Sequence, residues 1–319
     1  MTIGSTQHII LFLVTAAFIV LSCLAVSKMS KFWQNVMFVL AVLICMGGIF
    51  FRYAMKQTWG GEIDWKSLCI QMLQVCNFNF ILLPLMLIPK FKLARQYSIF
   101  FAMFAASTTL FALNTRWAEL MLPWYHPDVL SSWIYHTFAI VCPLWMLAAG
   151  RLRPERKYVL PVSACVFGYF SVVYTICEIL KGKGIIAQTQ NFSYIYNASG
   201  TPLLTQLFDL IGVVFWYLAP AFVVLIAFFY AFSMPFTRRV VLVGNGGVTS
   251  RNKSEKKRYG TVKCDFKLSS ATFKKQGAEL IGWSDTPDTE AIYTANESII
   301  IGKENIQLYA VWSDKGSEL

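Results

Sequence analysis

Seven long apolar runs, almost empty of charge, set the limits on what this chain can fold into. Ile9–Val26, Val36–Phe51, Leu68–Pro89, Tyr97–Asn114, Leu130–Gly150, Tyr158–Leu180 and Leu207–Phe232 contain only two charged residues, Glu178 and Asp209. A membrane-spanning helix needs about 20 mainly apolar residues at ~1.5 Å rise each. Val36–Phe51 and Tyr97–Asn114 reach that length with their flanks, and the other runs approach or exceed it alone. Lipid cannot satisfy a bare backbone, so these runs are expected to be helical. Charged residues make up 14% of the chain, well under the roughly 25% usual in soluble domains. The expected fold is an α-helical polytopic membrane protein, with about seven transmembrane helices in residues 1–239 and a small β-rich domain in residues 240–319. The first run is not followed by a small-residue cleavage site and reads as a retained span.

The net charge of +11 invites a nucleic-acid reading until it is divided. Residues 1–239 hold 17 Lys/Arg against 7 Asp/Glu, and residues 240–319 hold 11 against 10. The excess therefore sits between spans, where it reports topology. With the N-terminus outside, Lys28, Lys31, Lys90, Lys92, Arg95, Arg151, Arg153, Arg156, Lys157, Arg238 and Arg239 fall inside. Fewer, namely Arg52, Lys56, Lys66, Arg116, Lys181 and Lys183, fall outside. This bias predicts N-outside, C-inside, with the C-terminal domain cytoplasmic. No nucleic-acid partner is expected.

Seven of the eight cysteines lie in the apolar runs and none forms a C-x-x-C pair, so neither a metal centre nor a disulfide framework is suggested. The third run, LCIQMLQVCNFNFILLPLMLIP, is unusual for its Gln71, Gln74, Asn77 and Asn79. Polar side chains at membrane depth need partners or water. On a regular helix Gln71, Gln74 and Asn77 share an arc of about 120°, facing the bundle interior, where interhelical hydrogen bonding alone would account for them. The fifth run carries His136. The third and fifth runs point the same way through the membrane. Cys76 and His136 then lie about 12 Å and about 9 Å below the same face. A histidine within reach of a cysteine generates a thiolate nucleophile, suited to an ester or thioester, and nearby amides can polarise the carbonyl. Cys69, one heptad before Cys76, competes for that role.

The runs GSTQHIILF with His8, LQVCNFNFILLPL, YHTFAIVCPLWMLAAGRLRP and NFSYIYNASGTPLL, in this order over residues 4–239, resemble the YwaF-type bacterial integral membrane proteins. These are related to the vertebrate membrane transacylases that build ether phospholipids. The resemblance implies an intramembrane cysteine and histidine that carry acyl transfer between phospholipids. Cys76 and His136 are the matching positions, and Asn191 and Tyr194 fall on the family's asparagine–tyrosine loop motif. Bacterial members often carry histidine two places before the cysteine; here that position is Gln74. In the tail, VVLVGNGG, FKKQGAELIGWSDTPDTEAIYT and IQLYAVWS resemble the Listeria–Bacteroides repeat, akin to the internalin B-repeat. That resemblance implies a β-grasp-like module with Trp283, Tyr309 and Trp312 as core aromatics. The combination points to a bacterial plasma membrane.

The expectation is therefore a membrane protein acting on lipid acyl esters, as transacylase or hydrolase. Cys76 and His136 are its catalytic candidates. Gln74, Asn77, Asn191 and Tyr194 are its substrate-binding candidates, membrane lipids are its partners, and no cofactor is expected. Two rivals stand beside it. One is a channel or transporter, with Pro84 and Pro143 as helix breakers. The other is an adhesion or scaffold protein that binds a protein partner through its C-terminal repeat.

Overall fold

The computed structural model describes residues 5–55, 64–112, 123–193, 195–196, 202–287 and 289–314. The chain divides into two compact units: Met1–Leu152 with Tyr158–Phe229, and Arg153–Lys157 with Tyr230–Leu319. Among the described residues, five helical stretches are long and apolar enough to cross a membrane: Thr6–Lys28, Lys31–Tyr53, Pro127–Ala148, Arg156–Gly182 and Trp216–Phe236. The seven predicted spans are thus not all recovered as unbroken helices.

In the first unit, α1 (Thr6–Lys28) starts where the Ser5 hydroxyl accepts the His8 N–H, and α2 (Lys31–Phe50) runs on into a π-turn at Phe51–Met55. The third predicted span is broken into α3 (Trp65–Gln71) and α4 (Asn79–Met86), with turns between them. The fourth runs from α5 (Lys92–Tyr97) through a buried π-turn, Ser98–Ala102, into α6 (Met103–Ala112). The fifth, α7 (Pro127–Ala148), is continuous. Its start combines the capping His126, Pro127 at the first helical position and Asp128 in the first turn, all of which favour a helix N-terminus. The sixth is α8 (Val159–Gly182). The seventh predicted span is two elements. α9 (Pro202–Ile211) ends at a break where Phe215 has φ +67°, and α10 (Ala219–Ser233) follows a single 3-10 turn.

α7 is the centre of this unit. Trp133, Tyr135, His136, Ala139–Pro143 and Trp145 are all buried, whereas α1 leaves Leu13, Val14, Val20, Leu21 and Leu24 exposed. An apolar outward face is what lipid contact selects. Indole nitrogens bind α7 to α1: Trp133 Nε1 donates to Thr15 Oγ1 at 2.7 Å and Trp145 Nε1 to Ser22 Oγ at 2.8 Å. Close approach of α2 depends on Gly48, where a Cβ would lie 2.9 Å from the Tyr135 Cβ. Small residues at such crossings let helix backbones meet.

The second unit is β-rich. Its five-stranded sheet has the order β2-β1-β7-β4-β5, formed by β2 (Glu255–Thr261), β1 (Thr237–Val243), β7 (Ile306–Asp314), β4 (Ala278–Ser284) and β5 (Tyr293–Thr294). β1 and β7 are parallel and the other neighbours antiparallel. β3 (Asp265–Lys267) and β6 (Ser298–Ile300) form a separate pair. Val240, Leu242, Phe266, Leu268, Trp283, Ile299, Ile301 and Leu308 fill the core, with Trp312 packed against it. The glycine turn after β1 has a steric reason. A Cβ on Gly247 would fall 2.3 Å from the Trp312 ring, whose Nε1 donates to Gly244 O at 2.9 Å. Of the three expected core aromatics, Tyr309 does not belong. Leu308 and Ala310 point into the core, so strand alternation turns Tyr309 the other way, and its hydroxyl accepts from Gln307 Nε2.

Candidate functional site

The polar residues of the third span lie on a helix break, Gln74 and Asn77, or at its edges, Gln71 and Asn79. After Gln71 the backbone tightens into i→i−3 turns, with Gln74 N–H bonded to Gln71 O and Asn77 N–H to Gln74 O. The expected 120° stripe of Gln71, Gln74 and Asn77 therefore does not exist as a helix face. Irregular backbone at membrane depth is tolerated where protein covers it, and here a loop does so. Val75 N–H donates to Ser193 Oγ at 2.8 Å, Ser193 N–H to Gln74 Oε1 at 2.7 Å, and Ser193 Oγ to Leu73 O at 3.4 Å. From α8, the Tyr169 hydroxyl donates to Met72 O at 2.8 Å. Phe192 and Ile195 are buried beside Ser193, and Ile195 O accepts the Phe215 N–H at 3.1 Å.

Cys76 lies on this break and is buried. Its sulfur is 3.8 Å from Thr109 Oγ1 on α6. The Thr109 hydroxyl proton is committed to Ala105 O at 3.2 Å, so its oxygen is left to accept from the thiol. His136 on α7 is buried too, and its Nδ1 lies 2.8 Å from Ser132 O. A carbonyl only accepts, so Nδ1 carries the proton and neutral Nε2 keeps a lone pair. Among the described residues no hydrogen bond joins Cys76 to His136. Tyr135, the residue before His136, is however an electrostatic neighbour of Cys76. Around Tyr135 and His136 gathers a charged group. The Arg52 guanidinium stands 5.3 Å from the Tyr53 ring and has Tyr135, Asp128 and His136 as electrostatic neighbours.

The other expected residues divide. Gln74 and Asn191 are brought to one loop-and-break assembly, Asn191 through its Oδ1, which accepts the Tyr196 N–H at 3.0 Å and shapes the turn. Asn77 Nδ2 donates to Gln71 O at 2.9 Å. That bond fixes the amide's orientation, and the buried Oδ1 then has no partner among the described residues, as is also true of Asn79 Oδ1. Tyr194 lies outside the described residues. Cys69 is exposed and does not share the buried setting of Cys76. His8 is buried, with Nε2 3.2 Å from Leu110 O and its ring edge-on to Trp133. Neither Pro84 nor Pro143 breaks its helix; the break lies at 72–78. Sequence reading did not single out Ser193, Tyr169 or Thr109. Only Ser193 left a signal, standing between the two flagged positions Asn191 and Tyr194.

A family model described as the TMEM164 family matches residues 3–233. The chain belongs to the TMEM164 family. No curated protein and no solved structure matches it. The TMEM164-family region takes in both halves of the assembly, the 72–78 break and the 191–196 loop, together with His136. It ends before β1, so the likeness of the tail to a surface-protein repeat rests on sequence motifs alone. As a member of this family the chain is a multi-pass membrane protein.

Proposed function

We propose that this protein transfers or hydrolyses acyl groups of membrane lipids, with Cys76 as nucleophile and His136 as general base. The reading is supported most by the setting of Cys76, a buried thiol on irregular, protein-covered backbone within an apolar span. The TMEM164 family is, moreover, related to ether-lipid acyltransferases. In the proposed reaction His136 Nε2 takes the Cys76 proton and the thiolate attacks the ester carbonyl carbon. The S–C bond forms, the ester C–O bond breaks, and the departing lipid alkoxide takes the proton from His136. A second hydroxyl, from a lipid or water, gives its proton to His136 as it attacks the thioester. The acyl group leaves on the new oxygen, and the sulfur regains its proton from the imidazolium. Gln74, Asn77, Asn191 and Tyr194 are the proposed substrate-binding residues; the charge bias supports N-outside insertion, and the motif resemblances support a bacterial plasma membrane.

Intact-mass analysis after incubation with defined phospholipids tests this directly, with released lipids read from the same sample. Cys76→Ala is expected to lose adduct and turnover entirely while remaining folded. His136→Ala is expected to slow turnover by about 10²–10⁴-fold, the usual contribution of general-base catalysis. Unchanged turnover in Cys76→Ala would remove the enzyme reading. One observation favours a second reading: discontinuous helices build the binding sites of many transporters, and the buried Asn77 Oδ1 and Asn79 Oδ1 sit at such a discontinuity. Solute flux in proteoliposomes that persists in Cys76→Ala would favour it.

A further inference from the structure

The break that carries Cys76 is held only in part by its own turns. Val75 N–H has left the helical ladder, and its acceptor is the hydroxyl of a residue 118 positions away, Ser193. That same hydroxyl donates to Leu73 O at 3.4 Å, and the Ser193 amide closes onto Gln74 Oε1 at 2.7 Å. One residue thus bonds three consecutive residues of the break, Leu73, Gln74 and Val75, and the next residue is Cys76. Ser193 is itself buried and sits in the left-handed backbone region at φ +54°. A non-glycine residue held there is uncommon and costs backbone strain. Glycine would adopt this conformation without strain, so the backbone conformation alone does not explain a serine.

We infer that Ser193 is a positioning residue: its hydroxyl and amide latch the 191–196 loop onto the helix break and hold the Cys76 thiol in its buried place beside Thr109. The inference rests on the reading of Cys76 as nucleophile for its catalytic meaning, and on the hydrogen bonds alone for its structural one. The latch acts through Val75 and Gln74. It makes no contact with the reacting atoms.

Two substitutions separate the latch from the loop's backbone demand, because they act in opposite directions. Ser193→Gly relieves the positive φ and removes the hydroxyl. Ser193→Thr keeps the hydroxyl and puts a β-branched residue where φ is positive. In Ser193→Gly the relief of positive φ is offset by the Val75 N–H left without its acceptor, so thermal stability is expected at or below that of Ser, and Ser193→Thr below Ser because of its backbone strain. Latching is expected to follow Ser with Thr, and both above Gly. The readout is the rate at which N-ethylmaleimide modifies Cys76 in the full-length protein in lipid nanodiscs, followed by peptide mass. Hydrogen exchange of the 72–78 segment is read in parallel.

Loss of a buried hydrogen bond that limits local opening corresponds to about fivefold to tenfold faster labelling and exchange in Ser193→Gly, with Ser193→Thr near wild type. Gln74→Met, which removes the acceptor of the Ser193 N–H without touching the loop, is expected to accelerate both in the same way. A Gly variant that labels and exchanges like wild type overturns the inference, and so does a Thr variant as fast as Gly. If Ser193→Gly fails to fold, Gln74→Met decides alone. Labelling needs no acyl transfer, so these results stand whether or not the protein proves to be an acyltransferase. If it does, Ser193→Gly is expected to lower the acylation rate and Ser193→Thr to restore it.

Discussion

The third span and α7 supply the two residues proposed for catalysis, and they solve the problem of polar groups in lipid in different ways. α7 is continuous from Pro127 to Ala148, so its backbone groups pair within the helix. His136 Nδ1 is held by Ser132 O one turn earlier, Trp133 and Trp145 reach α1 through single bonds, and even Pro143 leaves the helix unbroken. The third span stops being a helix at Gln71 and resumes at Asn79, and its interior is completed from outside, by Ser193 of a distant loop and Tyr169 of α8. A base needs one fixed orientation, which a regular helix provides through i→i−4 geometry. A nucleophile on a break is oriented by whatever covers the break, so its placement depends on other elements of the fold. The difference teaches that the histidine should tolerate change around it and the cysteine should not.

The largest effect expected from testing this contrast is on the packing of α7 itself. Gly48→Ala adds a methyl 2.9 Å from the Tyr135 Cβ, with Ser131 O and Tyr135 N at 3.4 and 3.5 Å. Helix propensity alone would favour alanine by about 1 kcal/mol. Overpacking against another backbone costs about 1–3 kcal/mol, so a net loss of stability is expected, and Gly48→Leu should be worse. Thermal unfolding in detergent measures it; a Gly48→Ala protein more stable than wild type would mean that α2 and α7 are not in this close contact.

Next in size is the borrowed bond from α8. Tyr169→Phe removes only the hydroxyl that serves Met72 O. A net loss of about 0.5–1.5 kcal/mol is expected, local to the break, so that hydrogen exchange quickens in residues 72–78 while α7 is unchanged. Equal quickening in α7 would erase the contrast between the two spans.

How much of this was legible beforehand follows from the same contrast. Hydropathy locates all seven apolar runs, and α1, α2, α7 and α8 fall where it puts them, because burial in lipid acts on composition over some 20 residues. It did not find the break, because Val75 and the residues after Phe80 are as apolar as any helix requires, and the partner of the freed Val75 N–H is Ser193, 118 positions away. The cluster of Gln71, Gln74, Asn77 and Asn79 was visible as an anomaly but was read at a helical spacing. Gly212 and Phe215, both with φ +67°, divide the last run, and only the glycine announces such a turn. In the tail the repeat resemblance puts Tyr309 in the core, although its alternation with Leu308 and Ala310 turns it out; Trp283 lies in the core and Trp312 packs against it, as expected.

The smallest effect tests the self-sufficiency of α7. Ser132 Oγ lies 3.4 Å from His136 Nδ1, whereas Ser132 O lies at 2.8 Å. The shorter contact is a backbone bond that any residue at position 132 would supply. Ser132→Ala is therefore expected to leave the imidazole tautomer in place and to change stability by less than about 0.5 kcal/mol, at the edge of what one long hydrogen bond contributes. Its turnover, if lipid acyl transfer is measured, should stay within about twofold of wild type, against the orders of magnitude expected for His136→Ala. A large loss in Ser132→Ala would show that the hydroxyl, not the carbonyl, orients His136. The base would then depend on a side chain as the cysteine depends on Ser193, and the difference between the two spans would be one of degree.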